Sequence, residues 1–249
     1  MSGFEAHAIH HLSPSTCNTF VASPAMFVLE KCLKKRGGVG PSAHRGTAVE
    51  DGIAHGLLHP EVSIDECIEV TTRKFETLTA LSTTGNKDKE REGLPGMVRH
   101  GLLELRPYGI PTGTQIKVET EIEGLAVPIL GYCDFEWEQH GIGTDLKTTH
   151  QLASKISTNH ARQVSLYRHC RGWKSTRVTY CTSKKVISYE LENEDQHFES
   201  LKKICFAIQN FLAISADPHE LASLVIPDVD SFYFNDPETR QYAFEVWGI

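Results

Sequence analysis

A chain of 249 residues with 40% apolar content can bury a substantial core and sits at the upper edge of single-domain size. Its 25 Lys and Arg against 32 Asp and Glu leave a net charge of −7, which excludes coating of nucleic acid by bulk attraction, so any such contact has to be local. The opening MSGFEAHAIHHLSPS lacks the basic and apolar runs of an export signal, and no window approaches the roughly 20 apolar residues of a spanning helix, so the expectation is one soluble, cytoplasmic domain over 1–249 with no membrane partner.

Residues 1–12 read as a polar N-terminal arm, in which His7, His10 and His11 need no role beyond a disordered terminus. Ser13-Pro14-Ser15 looks like a helix start, with Phe20, Met26, Phe27 and Leu33 in or just after the helix. A basic, Gly-rich loop follows from Lys34 to Pro41. Over 43–58 the positions Val49, Ile53 and Leu57 recur every fourth residue, one face of an amphipathic helix, and a second helix is expected over 63–81. The segment 82–96, STTGNKDKEREGLPG, is polar, charged and without period, and reads as a mobile loop; helical character resumes over 97–105.

Strand chemistry begins at 115–123, where Ile116, Val118, Thr120 and Ile122 alternate with Lys117, Glu119, Glu121 and Glu123. Two further strands, 129–138 and 142–149, are joined by Gln139-His140-Gly141 as a hairpin. A helix over 157–171, strands at 177–182 and 186–192 around Ser183-Lys184-Lys185, and a long helix over 193–215 complete the body. The appendage 217–249, with Phe232, Tyr233, Phe234, Tyr242, Phe244 and Trp247, reads as a strand and a helix packed on it. Seven scattered cysteines without a Cys-x-x-Cys pair fit small buried apolar residues in a reducing compartment.

The chemistry concentrates in the middle. Strand alternation points Asp145 and Lys147 to one side and Leu146 to the core, and the hairpin partner brings Asp134 to the same region. Carboxylates that close repel and raise one another's pKa unless a cation sits between them, and a hard divalent ion with oxygen ligands is the natural one. Lys147 would then hold the attacking water and balance developing negative charge. Glu50, at the margin of the apolar stripe of its helix, is a third acid that needs a partner. His55 and His59 lie at a spacing that can clasp zinc, but no third ligand is evident, so surface or cap roles suit them better.

The succession Leu12-Ser13-Pro14-Ser15, Gly46-Thr47-Ala48-Val49-Glu50, Gly131-Tyr132-Cys133-Asp134, Asp145-Leu146-Lys147-Thr148 and Gln163-x-x-x-Tyr167 resembles the RecB-like and phage-exonuclease branch of the PD-(D/E)xK nucleases. Glu50 stands where RecB-like members often carry His, and Asp145 where Glu is frequent; neither change removes a ligand. The resemblance implies an α/β (α+β) restriction-endonuclease-like core, a central mixed β-sheet flanked by helices. It implies a Mg2+-dependent deoxyribonuclease, with Mn2+ as substitute, acting as an exonuclease on DNA ends in recombination, repair or phage DNA processing in a bacterial cell or infected host. A structure- or sequence-preferring endonuclease and a non-catalytic DNA-binding protein on the same scaffold are the alternatives.

The catalytic set implied is Glu50, Asp134, Asp145, Lys147, Gln163 and Tyr167, with metal held by Glu50, Asp134, Asp145 and the backbone carbonyl of Leu146. Ser13, Ser15, Arg45, Thr148, Arg162 and Lys184 are expected at the DNA. Arg168, Arg171 and Lys174 could join them, although scattered helix arginines usually form a solvated face. A homo-oligomeric ring around the duplex beside a single-strand annealing protein is a further implication. No iron–sulfur cluster is expected, because no cysteine follows Cys205.

Overall fold

The computed structural model describes residues 2–82 and 86–249, and its elements in chain order follow the sequence pattern closely. They are α1 (Gly3–Ala6), α2 (Pro14–Ala22), α3 (Pro24–Phe27) with a π-helical turn Val28–Cys32, α4 (Pro41–Leu58), α5 (Ile64–Leu78) and α6 (Lys87–Leu105). Then come β1 (Gly113–Thr120), β2 (Ile129–Trp137), β3 (Ile142–Thr148), α7 (Thr158–Arg171), β4 (Ser175–Cys181), β5 (Val186–Glu190), α8 (Glu194–Leu212), α9 (Pro218–Ser223), a 3-10 turn Phe232–Phe234 and α10 (Pro237–Trp247). The protein is thus a mixed α/β fold with one five-stranded sheet in the order β1-β2-β3-β4-β5. Strand β3 pairs antiparallel with β2 and parallel with β4, and β5 returns antiparallel beside β4. The β3–α7–β4 passage is the crossover that a parallel pair requires.

The chain divides into two compact units, one built from residues 39–117 and 132–194, the other from 1–38, 118–131 and 195–249. In the first, α4, α5 and α6 bury Val49, Ile53, Leu57, Phe75, Val98 and Leu102 together with Phe135, Trp137 and Leu146 of the sheet. Gly52 lets α5 come so near α4 that a Cβ there would run into Thr71. Each fully buried aliphatic or aromatic side chain of this cluster contributes about 1.5–3 kcal/mol of hydrophobic stabilisation.

Three expectations are corrected. The segment 82–96 is not a loop beyond its start: α6 begins at Lys87, while Thr83, Thr84 and Gly85 lie outside the described residues. Its charged first turns are tied down by Lys87 to the Thr79 carbonyl (2.8 Å), Arg91 to Glu76 (2.7 Å) and a buried pair between Glu90 and Arg45. Gly96, one of the residues that suggested a loop, is where the β4–β5 turn packs on the helix; a Cβ would strike the Ser183 backbone.

The arm 1–12 is ordered as well. Ser2 and Glu5 form a capping box around α1, Phe4 is buried, His7 meets the Ser215 carbonyl at 2.9 Å, and Leu12 bridges to Ile129. In the tail, no strand occurs among the described residues; α9, the 3-10 turn and α10 replace it. Phe234 and Ala243 pack with Ala25, Met26 and Leu29 in the core of their own unit.

Candidate active site

The centre lies in the unit built around β3. The β2–β3 ladder runs from Trp137↔Ile142 to Phe135↔Thr144. Beyond it the Asp134 carboxylate replaces a strand carbonyl, its Oδ2 accepting the Leu146 N–H at 2.6 Å. This contact fixes Asp134 beside Asp145. Leu146 is buried in the core with Ala48 and Val49, so alternation turns Asp145 and Lys147 to the other face, towards α7.

Asp145 is fully buried and its two oxygens are treated differently. Oδ1 accepts from Gln163 Nε2 at 3.0 Å and from the Tyr167 hydroxyl at 3.3 Å, and Gln163 also donates to Tyr167 at 2.6 Å. Among the described residues Oδ2 is met instead by the Lys147 ammonium, at 2.5 Å. Glu50 of α4 reaches the same centre through Gln115 of β1, whose Nε2 donates both to Glu50 Oε1 and, at 3.0 Å, to Asp134 Oδ1. Glu50, Asp134, Asp145, Lys147, Gln163 and Tyr167 are therefore brought together.

Electrostatics follow from the geometry. Burial raises Asp134 well above the ordinary carboxylate range, and the charges of Asp145 and Glu50 push it further against the pull of Lys147 and the Leu146 amide. Glu50 is raised by burial and by Asp145, against the Gln115 hydrogen bond and Lys147. Burial works to lower Lys147, but Asp145, Asp134 and Glu50 outweigh it and hold the ammonium above its usual range. Burial first, and Asp145 next, keep the Tyr167 phenol neutral far above its ordinary range. Among the described residues no three His, Cys, Asp or Glu side chains stand as a finished metal cage. An amide lies between Glu50 and Asp134 instead.

The expected DNA contacts fare differently. Arg45 is buried, paired with Glu90, and bonded to the Thr148 carbonyl at 3.0 Å and hydroxyl at 3.3 Å, so both residues serve to tie α4 and α6 to the end of β3. Arg162 is buried and donates to Asn159 at 2.5 Å. Ser13 caps α2 and bonds Ser15 at 2.9 Å, work done within their own unit. Lys184 is exposed in the β4–β5 turn, its N–H taken by Thr182. Arg171 is held by Glu136 at 2.5 Å and lies over Trp173. Of the Leu146 peptide, the N–H is engaged at the centre.

Three neighbours escaped the sequence reading. His160 precedes Gln163 by one helical turn and shares its stripe; its Nδ1 meets the Tyr180 hydroxyl at 2.7 Å, and Tyr180 stands opposite Lys147 in the β3–β4 register. Burial and the nearby Lys147 lower the His160 pKa, so the ring is neutral. The helical spacing could have revealed His160. Nothing in the residue pattern could have revealed Gln115, whose backbone is left-handed (φ 51°) inside a strand. His55, weighed as a ligand, lies beside His59 with ring centroids 5.1 Å apart and the rings tilted by 50°.

No helix among the described residues is long and apolar enough to cross a membrane. No protein-family model matches the chain, and no curated protein does. Among solved structures, it has a likeness to the crystal structure of SSO0001, at 15% identity over 66% of this chain and 85% of that one, with a TM-score of 0.37.

Proposed function

We propose that this chain is a magnesium-dependent deoxyribonuclease on a PD-(D/E)xK core of the RecB-like branch, and that it works on DNA ends as an exonuclease. The observation that supports the reading is the meeting of Glu50, Asp134, Asp145 and Lys147 at one end of the β2–β3 hairpin, with the Lys147 ammonium 2.5 Å from Asp145. A hard divalent cation fits this donor set. Glu50 and Asp134 are raised in pKa by burial and by neighbouring negative charge, and the buried Asp145 Oδ2 meets the Lys147 ammonium rather than the amide and hydroxyl that hold Oδ1. Magnesium needs only one or two carboxylates plus waters and phosphate oxygens, so a finished cage is not required.

Glu50, Asp134 and Asp145 would hold the ion, with the Leu146 carbonyl as a further donor. When bound, it supplies polarisation of a phosphoryl oxygen and a more acidic water. The rest falls to the chain. Lys147, charged because three carboxylates surround it, holds the attacking water and offsets charge building on the scissile phosphate. Gln163 and Tyr167 lock Asp145 Oδ1, which leaves Oδ2 for the reacting side.

End-labelled linear DNA with magnesium is expected to be digested while covalently closed circular DNA is spared. Asp145→Asn and Lys147→Ala, with unchanged circular dichroism, are expected to be inactive. Wild-type activity in either variant refutes the assignment, and cleavage of the closed circle moves the reading to an endonuclease.

A further inference from the structure

Gln115 of β1 stands at the centre beside the acids. It is exposed, yet its amide spans Glu50 and Asp134. Its φ of 51° is a left-handed backbone, uncommon for a side-chain-bearing residue and most unusual inside a strand. Two carboxylates that share a buried site repel, and in the absence of a cation the amide N–H groups are the donors between them. A carboxamide also carries an acceptor oxygen at the same end, reached by a half-turn of the terminal torsion. Gln amide oxygens are hard donors of the kind that divalent cations accept.

We infer that Gln115 is a fourth side-chain ligand of the cation, its amide donating to Glu50 and Asp134 in the empty centre and turning its oxygen inwards when the ion enters. This rests on the metal-dependent reading above. The left-handed backbone at Gln115 accompanies an amide that reaches both acids at once.

Calorimetric titration of manganese into the full chain, without DNA, tests it. Gln115→Ala is expected to bind about tenfold or more weakly than wild type, whereas Gln115→Glu, which keeps an oxygen but cannot donate to the acids, binds at least as tightly. Unchanged or tighter binding by Gln115→Ala overturns the inference, since an amide that only fills the empty centre would compete with the ion. Should Gln115→Ala fail to fold, weaker binding by Gln115→Glu overturns it. Asp145→Asn serves as control: binding lost there and untouched in Gln115→Ala sinks only the role of Gln115. A wild-type chain that binds no manganese takes down the nuclease reading and this one with it.

Discussion

At the residue scale, Asp145 depends on neighbours that do not react. Gln163 lies closer to its Oδ1 than Tyr167 does, 3.0 against 3.3 Å, and also orients Tyr167. A hydrogen bond to a charged group is worth about 1.5–3 kcal/mol, so losing one costs roughly ten- to a hundredfold in rate. Gln163→Ala is expected to lower kcat more than Tyr167→Phe, and steady-state digestion of linear DNA checks the order. Glu50 and Asp134 carry a second expectation. Their folded pKa values lie above those of the unfolded chain, so their contribution is fully favourable below the ordinary carboxylate range and is lost as pH rises through the folded values. In chelator, the melting temperature is expected to fall as pH is raised across that window, and magnesium is expected to flatten the fall. A chelated protein whose melting temperature rises through the same window contradicts this.

At the element scale, α6 shows how a helix can be held by charge where it lacks an apolar stripe. Arg45 and Glu90 are both nearly excluded from solvent, and removing one partner of such a pair costs about 3–5 kcal/mol by stranding the other. Glu90→Ala is therefore expected to lower the denaturant midpoint strongly, and Arg45→Ala to do the same by stranding Glu90. Gly96→Ala is expected to destabilise despite the better helix propensity of alanine, because the Ser183 backbone occupies the space; chemical denaturation measures both.

The same helix marks a limit of legibility. Leu94, Met97, Val98, Leu102 and Leu105 carry the buried stripe, but it starts only at the eighth residue of α6, and the turns before it owe their shape to partners far along the chain. By contrast, the alternation in β3 and the four-residue step from Gln163 to Tyr167 are local, and they suffice to put Asp145 and Lys147 on one side of the strand and Gln163 and Tyr167 on one face of the helix. Ser13 was legible as a cap. Arg45 was not legible as buried, since its partner sits 45 residues away.

For the whole molecule, periodicity says which face of an element is apolar but not which elements meet. One unit gathers 1–38, 118–131 and 195–249, an assembly that only the fold reveals. The strand order and which strands pair parallel were likewise out of reach, though the mixed α/β class and a mixed sheet flanked by helices were not. A ligand that binds only the folded chain stabilises it by mass action, about 2.7 kcal/mol at a hundred times its Kd. Magnesium at that excess is expected to raise the melting temperature, and an unmoved transition argues against a cation at the centre. The Asp134 side chain bears on how the proposed nuclease should be disabled for capture with DNA. Because that carboxylate extends the hairpin through the Leu146 amide, cutting it back to alanine unzips a rung as well as removing an acid. A dead variant that keeps its architecture is better sought at Lys147, or with asparagine at position 134.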